Sequence, residues 1–424
     1  MSSQRFSFFD ALYGEVELPA ALGDLARMPV VQRLRDIRLS NIDSLSMPGI
    51  SNISRYEHAL GSAFLASSIG RGSQLTDNDL IMLGATALLH DAAITGFGHL
   101  VEEALQYFDT GFDHEKKLAV LLSSSDKAHL GGVNFQIFQG RQSGIQPWAQ
   151  RVFGSSSPAC IAEIIDGLRG HGRWGPYISS DLDLDNLDNL VRIAYHMGLA
   201  VDREMPVRIA RGITPDSASG TPVFADATIA YIGDWVQLRH AVYTKLMLSK
   251  VDFVGKSMLL YAVTTAYSNG DLGIREQAWT LTDRDLINHL LSSPDPEVSR
   301  TVQAWLLSEL WPLADLFWFG GEPPSFPMVK AFCVFASAEL DRPCFAYRIR
   351  DKRVRRISIR VASGGVVELG VNPDRWLLGV VSRKREPFSR REIDRLREVA
   401  SEFFEATFIG LADAPQLEVT PLFG

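Results

Sequence analysis

Between residues 20 and 318 the apolar positions recur mostly at helical spacing, and beyond residue 328 they shift to a two-residue alternation. The spacing predicts helix over 22–38, with Pro29 opening a second segment, and another helix beginning at Arg55. The stretch 79–91 is nearly all apolar (Ile81, Met82, Leu83, Ala85, Ala87, Leu88, Leu89), the pattern of a buried central helix. An amphipathic helix follows the acidic run at 181–188, long helices follow over 225–268, and helix continues over 285–318. Ser-, Asn-, Pro- and Gly-rich text at 40–54 predicts irregular backbone, and 139–180 reads as short helices and loops able to cover a cleft. After a Gly/Pro linker at 320–327, residues 344–361 and 376–384 alternate as strands, and Ser389 with Glu392 opens a capped final helix running to about Ile409. These elements predict a mainly α helical domain over 1–327, comprising a core at about 50–200 and an extension over 201–320, followed by a smaller α+β lobe over 328–424.

Composition narrows the picture. A chain of 424 residues exceeds one hydrophobic core, in keeping with two lobes. A net charge of −8 argues against nucleic acid as the main ligand, which needs a broad basic face. Three scattered cysteines (Cys160, Cys333, Cys344) suit a reducing compartment, and Asp10, Glu15 and Glu17 occupy the place of a signal peptide's apolar run. With no apolar stretch of roughly 18 residues, the expectation is a cytoplasmic protein with no membrane span.

The candidate chemistry sits on the apolar helices. His58 and the pair His90–Asp91 lie in segments where an ionisable side chain is costly unless something pairs with it. Two imidazoles and a carboxylate from two helices make a metal site if one more ligand arrives. Asp181, Asp183, Asp185 and Asp188 crowd one helix start, and one of them is the candidate; spacing alone does not choose among them. Arg55 projects on nearly the same face as His58, placed to grip a phosphate or to pair with Glu57 or Glu102. Arg33, Arg35 and Arg38 read as a solvated face or as phosphate contacts. Arg239, His240, Tyr243 and Lys245 cluster on one later helix, and Arg348, Arg350, Lys352, Arg353, Arg355, Arg356 and Arg360 form a basic strip in the C-terminal lobe. That strip suits a solvated hairpin, an oligomer contact or an anionic-ligand site.

The ordered set QRLRDIR, MPG, SRYEH, LLHD with GFGH, DHE and SSDLDLDNLDNLVR resembles the HD-superfamily phosphohydrolases, most closely the dGTPase-like deoxynucleoside-triphosphate triphosphohydrolases, over roughly residues 8–310. The resemblance implies an HD-domain helical core and one divalent metal ion (Mn, Fe, Zn, Ni, Co or Mg) held by His58, His90, Asp91 and Asp185. It further implies Arg55, His114 and Glu102 as catalytic groups, and Arg55, Arg35, Arg38, Asn189, Arg239 and Tyr243 as nucleotide contacts. Assembly as a homo-oligomer, a dimer or larger, is likewise implied. The departures are these: Ile94 replaces the acid/base residue four positions after His90, Tyr13 replaces a His in the opening segment, Leu39 stands where a Gln is usual, Asn189 and Arg192-Ile193 stand where a Tyr and Arg-Asp are usual, and Trp235 stands where an Arg would align. The leading expectation is metal-dependent hydrolysis of a nucleotide, releasing nucleoside and tripolyphosphate. Ile94 motivates an alternative, a non-catalytic nucleotide-binding regulator that keeps the metal site. A di-iron oxygenase using His99 and His114 is a third reading.

Overall fold

The computed structural model describes residues 5–40, 46–70, 75–108, 112–123, 144–272 and 281–412. The chain opens on an antiparallel hairpin, β1 Arg5–Asp10 and β2 Gly14–Pro19. Its turn is set by the Asp10 carboxylate, whose Oδ1 accepts from the Leu12 and Tyr13 amides at 2.8 and 3.0 Å, and by Gly14 at φ +76°. Short helices α1 Ala20–Ala26 and α2 Pro29–Gln32 follow, and the turn at Arg33–Asp36 tightens to a 3₁₀ helix, so the expected helix over 22–38 is in three pieces.

The central layer is made by α3 Arg55–Ser68 and α4 Asp77–Leu89, which pack on each other. Ser54 caps α3 by accepting from the Glu57 amide at 3.2 Å, and Thr76 with Asp79 forms a capping box on α4. Around them lie α5 His99–Phe108, α6 His114–Ser123, α7 Gln146–Phe153, α8 Ser157–Leu168 and α9 Gly175–Ile178. The next helix, α10 Leu184–His196, is capped by Asp183, packs against α3, and leads to α11 Met205–Arg211. A two-strand ribbon, β3 Ile213–Pro215 and β4 Pro222–Phe224, precedes α12 Ile229–Leu248 and α13 Lys250–Asn269, then α14 Asp283–Leu291 and α15 Pro296–Leu306. Parts of the irregular stretches expected at 40–54 and 139–180 fall outside the described residues.

Helix was expected through 318, but α15 stops at Leu306, Ser308 takes φ +60°, and Leu313–Gly320 is a strand, β5. Its run LADLFWFG is buried on both faces, so it shows neither period, and short apolar runs of this kind do not distinguish strand from helix. β5 pairs with β9 Arg375–Ser382, which pairs with β6 Cys344–Arg350, while β10 Phe408–Leu411 adds to the other side of β5, all antiparallel. A separate hairpin is formed by β7 Ile357–Arg360 and β8 Val366–Leu369. One sheet face carries Phe317, Phe319, Trp376 and Leu378 into a core shared with α16 Phe326–Glu339 and α17 Arg390–Phe404. The other carries Leu316, Trp318, Ile349 and Leu377 against Met247, Leu248 and Phe253 of α12 and α13. The Ser389–Glu392 capping box opens α17 as expected, but the helix ends at Phe404, where Glu405 turns left-handed at φ +49°, rather than at Ile409. The protein is therefore mainly α with a smaller α+β lobe, and no helix among the described residues is long and apolar enough to cross a membrane.

The lobe sits on the helical part through a close fit at Gly379 of β9, where an added Cβ would lie 2.2 Å from Cε1 of Phe253. Gly379→Ala is expected to destabilise the protein by about 1–3 kcal/mol through overpacking, read as a drop in thermal midpoint relative to a control alanine at the open position Gly410.

Candidate metal centre

Three donors converge where α3, the end of α4 and the start of α10 meet. His58 Nε2 stands 2.9 Å from Asp185 Oδ1 and 3.2 Å from His90 Nε2, and His90 Nε2 is 3.7 Å from the same Asp185 oxygen. These three atoms lie within 4.8 Å of one another. Asp91 brings Oδ2 to 3.4 Å from His90 Nε2, and the same oxygen accepts from Arg55 Nη1. Burial and the neighbouring carboxylates act oppositely on these groups. Burial presses His58 and His90 toward neutrality, yet Asp185 and Asp188 around His58, and Asp91 and Asp185 around His90, outweigh it and raise both. Asp185 and Asp91 are held well below the ordinary carboxylate range despite their burial, by His58 and His90 and by Arg55 respectively.

Both imidazoles are fixed from behind. His58 Nδ1 lies 2.7 Å from Asp188 Oδ2, and His90 Nδ1 lies 2.7 Å from the Ala87 carbonyl. The acceptors assign the proton to Nδ1 in each neutral ring, leaving the two Nε2 lone pairs facing each other beside a carboxylate oxygen. Such a group of acceptors is mutually repulsive unless protons or a metal ion lie among them, and a His/carboxylate set suits a divalent ion. The residues therefore fit the expected metal.

Asp188 is itself fully committed. Arg192 Nε donates to Oδ2 at 2.9 Å and its Nη2 to Oδ1 at 2.8 Å, while the Tyr13 hydroxyl donates to Oδ1 at 2.8 Å. Burial would raise this carboxyl, but Arg192 and His58 bring it down to about 2. Arg192 also reaches Glu57 at 2.7 Å and Asp10 at 3.1 Å. Gly61 of α3 makes room for this network: a Cβ there would be 2.1 Å from Asp188 Oδ1.

Arg55, Asp91, Asp185 and His99 line a cavity of about 270 Å³ together with Asn189, Tyr243, Lys256, Tyr347 and Lys352. Of the nucleotide contacts expected from sequence, Arg55, Asn189 and Tyr243 are brought to this cavity. Arg239 is buried on α12, one turn before Tyr243, with its guanidinium 4.6 Å from that ring. Arg35 is directed elsewhere, 4.7 Å over the Tyr56 ring in a separate groove, and Arg38 uses its backbone amide on Asp283 at 3.0 Å. His114 Nδ1 pairs with Glu102 Oε1 at 2.8 Å and stands one ring behind His99, their centroids 5.5 Å apart. Burial opposes protonation of His114, but Glu102 raises its pKa. Ile94 does not reach the cavity at all. It is fully buried, its carbonyl accepts from Arg33 Nη2 at 2.6 Å, and the turn that follows is pinned by Asp283 accepting from the Phe97 amide at 2.7 Å.

Sequence reading missed the roles of Asp188, Arg192 and Tyr13 in holding His58. The acidic run and the Tyr in the opening segment were visible, but which carboxylate faces the ion and which faces the ring depends on helix phase, which spacing within a run leaves open. Lys352 was visible only as one member of the basic strip, and Lys256 and Tyr347 carry no local signal.

No protein-family model matches the chain. An uncharacterized protein of Methanocaldococcus jannaschii is 25% identical over 283 residues, covering 66% of this chain and 54% of that protein, so the chain spans about half the length of the curated relative it matches. Among solved structures, a phosphohydrolase from Bacteroides thetaiotaomicron aligns with a TM-score of 0.63 at 18% identity, over 90% of this chain and 100% of that one. The chain shares the fold of that phosphohydrolase.

Replacing Asp188 by Asn removes the charge that orients His58 and leaves Arg192 less compensated, so divalent-metal affinity is expected to fall about 10–100-fold, measured by competition titration. In the unaltered protein, Mn²⁺ or Co²⁺ at about a hundred times its dissociation constant should raise stability by about 2.7 kcal/mol, a thermal shift that the His90→Ala variant should lack.

Proposed function

We propose that this chain is a metal-dependent phosphohydrolase of the HD superfamily acting on a nucleotide, with a (deoxy)nucleoside triphosphate as substrate, as the sequence resemblance implies, and nucleoside plus tripolyphosphate as products. The observation carrying this reading is the pair of back-braced imidazoles, His58 and His90, whose Nε2 atoms meet Asp185 at the edge of a cavity that Arg55 also lines. The fold shared with a solved phosphohydrolase supports it. His58, His90 and Asp185 would hold the ion, with Asp91 as fourth donor. When bound, a divalent ion supplies Lewis-acid polarisation of a phosphoryl oxygen and lowers the pKa of coordinated water.

The remaining chemistry falls to the chain. Arg55 gives Nη1 to Asp91 and keeps a buried Nε without a partner among the described residues, a donor available to a phosphoryl oxygen on which charge develops. His99, exposed on the cavity wall, is the imidazole that can touch a substrate. His114, which burial would press toward neutrality but whose pKa Glu102 raises, stands behind it, placed to pass a proton toward the leaving group. Asn189 has a buried Oδ1 with no partner among the described residues, an acceptor suited to a sugar hydroxyl.

A regulator that binds nucleotide without turnover is the second reading, favoured by the burial of Ile94, which removes the usual acid/base position from the cavity. A product-resolved screen of dNTPs, NTPs and monophosphates with Mn²⁺, Co²⁺, Ni²⁺, Fe²⁺, Zn²⁺ and Mg²⁺ separates the two. Nucleoside and tripolyphosphate are expected, with no turnover in a His90→Ala/Asp91→Ala variant and a loss of about 10²–10³ in kcat for Arg55→Ala. Metal and nucleotide bound with no product under any ion would establish the regulator instead.

A further inference from the structure

The basic strip of the C-terminal lobe is mostly consumed within the molecule. Arg348 pairs with Glu103, Arg350 with Glu322, Arg353 with Asp351, Arg356 with Glu368 and Arg360 with Asp216, while Arg355 donates to the Ser180 carbonyl at 2.8 Å. Lys352 is the exception. Among the described residues its ammonium has no hydrogen bond or ion pair, and its side chain lines the cavity that begins at Asp185 and Arg55. A second lysine, Lys256 of α13, lines the same cavity, and its ammonium likewise has no hydrogen bond or ion pair among the described residues. The carboxylate that acts on it, Asp252 one turn earlier, accepts from the Ser46 hydroxyl.

We propose that Lys256 and Lys352 form a second anion-binding subsite of this cavity, which takes a negatively charged group of the substrate remote from the phosphoryl group lying beside His58, His90 and Asp185. Two ammonium groups lining one cavity repel each other, and an anion held by both relieves that repulsion while forming charge-assisted hydrogen bonds. Consistent with this, burial lowers the Lys256 pKa to about 8, with Asp252 opposing the shift and Lys352 adding to it. The lysines come from different parts of the fold, Lys256 from the helical part and Lys352 from the segment just after β6, so the subsite exists only where the lobe closes on α13. The substrate is thus at least doubly anionic, with its second charge on a phosphate chain or on another anionic substituent. This assignment of the second group to a substrate rests on the phosphohydrolase reading of the metal end; the anion subsite itself does not.

Calorimetric titration of the full chain as purified, with inorganic tripolyphosphate and separately with orthophosphate, tests the subsite without requiring turnover. Tripolyphosphate is expected to bind about tenfold more tightly than orthophosphate. Lys256→Gln/Lys352→Gln should remove most of that advantage and leave orthophosphate within about twofold, while Lys256→Arg/Lys352→Arg retains it. A thermal midpoint matching the unaltered protein excludes unfolding as the cause, and Lys352→Gln alone, at an exposed position, gives the same test if the double variant does not fold. Equal tripolyphosphate binding in the Gln variants, no preference for tripolyphosphate in the unaltered chain, or a parallel loss of orthophosphate would overturn the subsite. If the subsite binds but no nucleotide is hydrolysed, the hydrolase reading fails while the subsite stands. An organic substrate of two separated charges that is hydrolysed with raised KM and unchanged kcat in the Gln variants would place the second charge off the phosphate chain.

Discussion

The buried carboxylate of Asp188 is the constraint on which the centre depends. Each of its oxygens is used twice, by His58 and Arg192 on one side and by Tyr13 and Arg192 on the other. Burying a charge is costly unless it is paired and hydrogen-bonded, and here every acceptor is filled. The same contacts tie three distant parts of the chain together: the N-terminal hairpin, α3 and α10. Moving any of them would leave either a buried carboxylate or a buried guanidinium unmatched, so the direction of the His58 ring is fixed by the packing of the whole helical core. Gly61 is part of this constraint, because only a residue without a Cβ lets α3 approach the pair so closely.

The turn after Asp91 shows how a backbone can be held without help from its motif position. Arg33 is fully buried and gives its guanidinium to the carbonyls of Ala92 and Ile94 at 3.2 and 2.6 Å and of Leu281 at 3.4 Å. The turn is therefore determined from below, and the Ile94 side chain is free to serve the core. What the cavity receives instead is His99, delivered by Phe97 and Gly98 in the left-handed region at φ +56° and +58°. Phe97 pays for its conformation with the hydrogen bond from its amide to Asp283.

Legibility followed the range of the interaction. His58 and His90 stood out in sequence because ionisable residues in apolar helices need a physical reason, and the structure brings them together with Asp185. The capping boxes at Thr76 and Ser389 are local patterns of four residues, and both helices begin there. The strand at Leu313–Gly320 was hidden because burial on both faces erases the alternation that marks a strand. The last helix overran because amphipathic spacing says little about where a chain turns left-handed, as it does at Glu405. Lys256 and Lys352 line one cavity only through tertiary closure, nearly a hundred residues apart in sequence, which no local window can register.

The cavity has walls of very different age in the life of the molecule. His58, His90, Asp91 and Asp185 have all left the ribosome before the strand carrying Tyr347 and Ile349, and the lysine that follows it, are made. Chains grow from the N-terminus and tend to fold in that order, so a nascent chain would hold the His58, His90 and Asp185 cluster while one side of the pocket was still unbuilt. The close fit of Gly379 on Phe253 is part of the contact that seats the lobe against the helical part. Truncation or late misfolding of the lobe would then leave a protein whose His58, His90 and Asp185 cluster is in place yet open to bulk water, a species quite different from one that is simply unfolded.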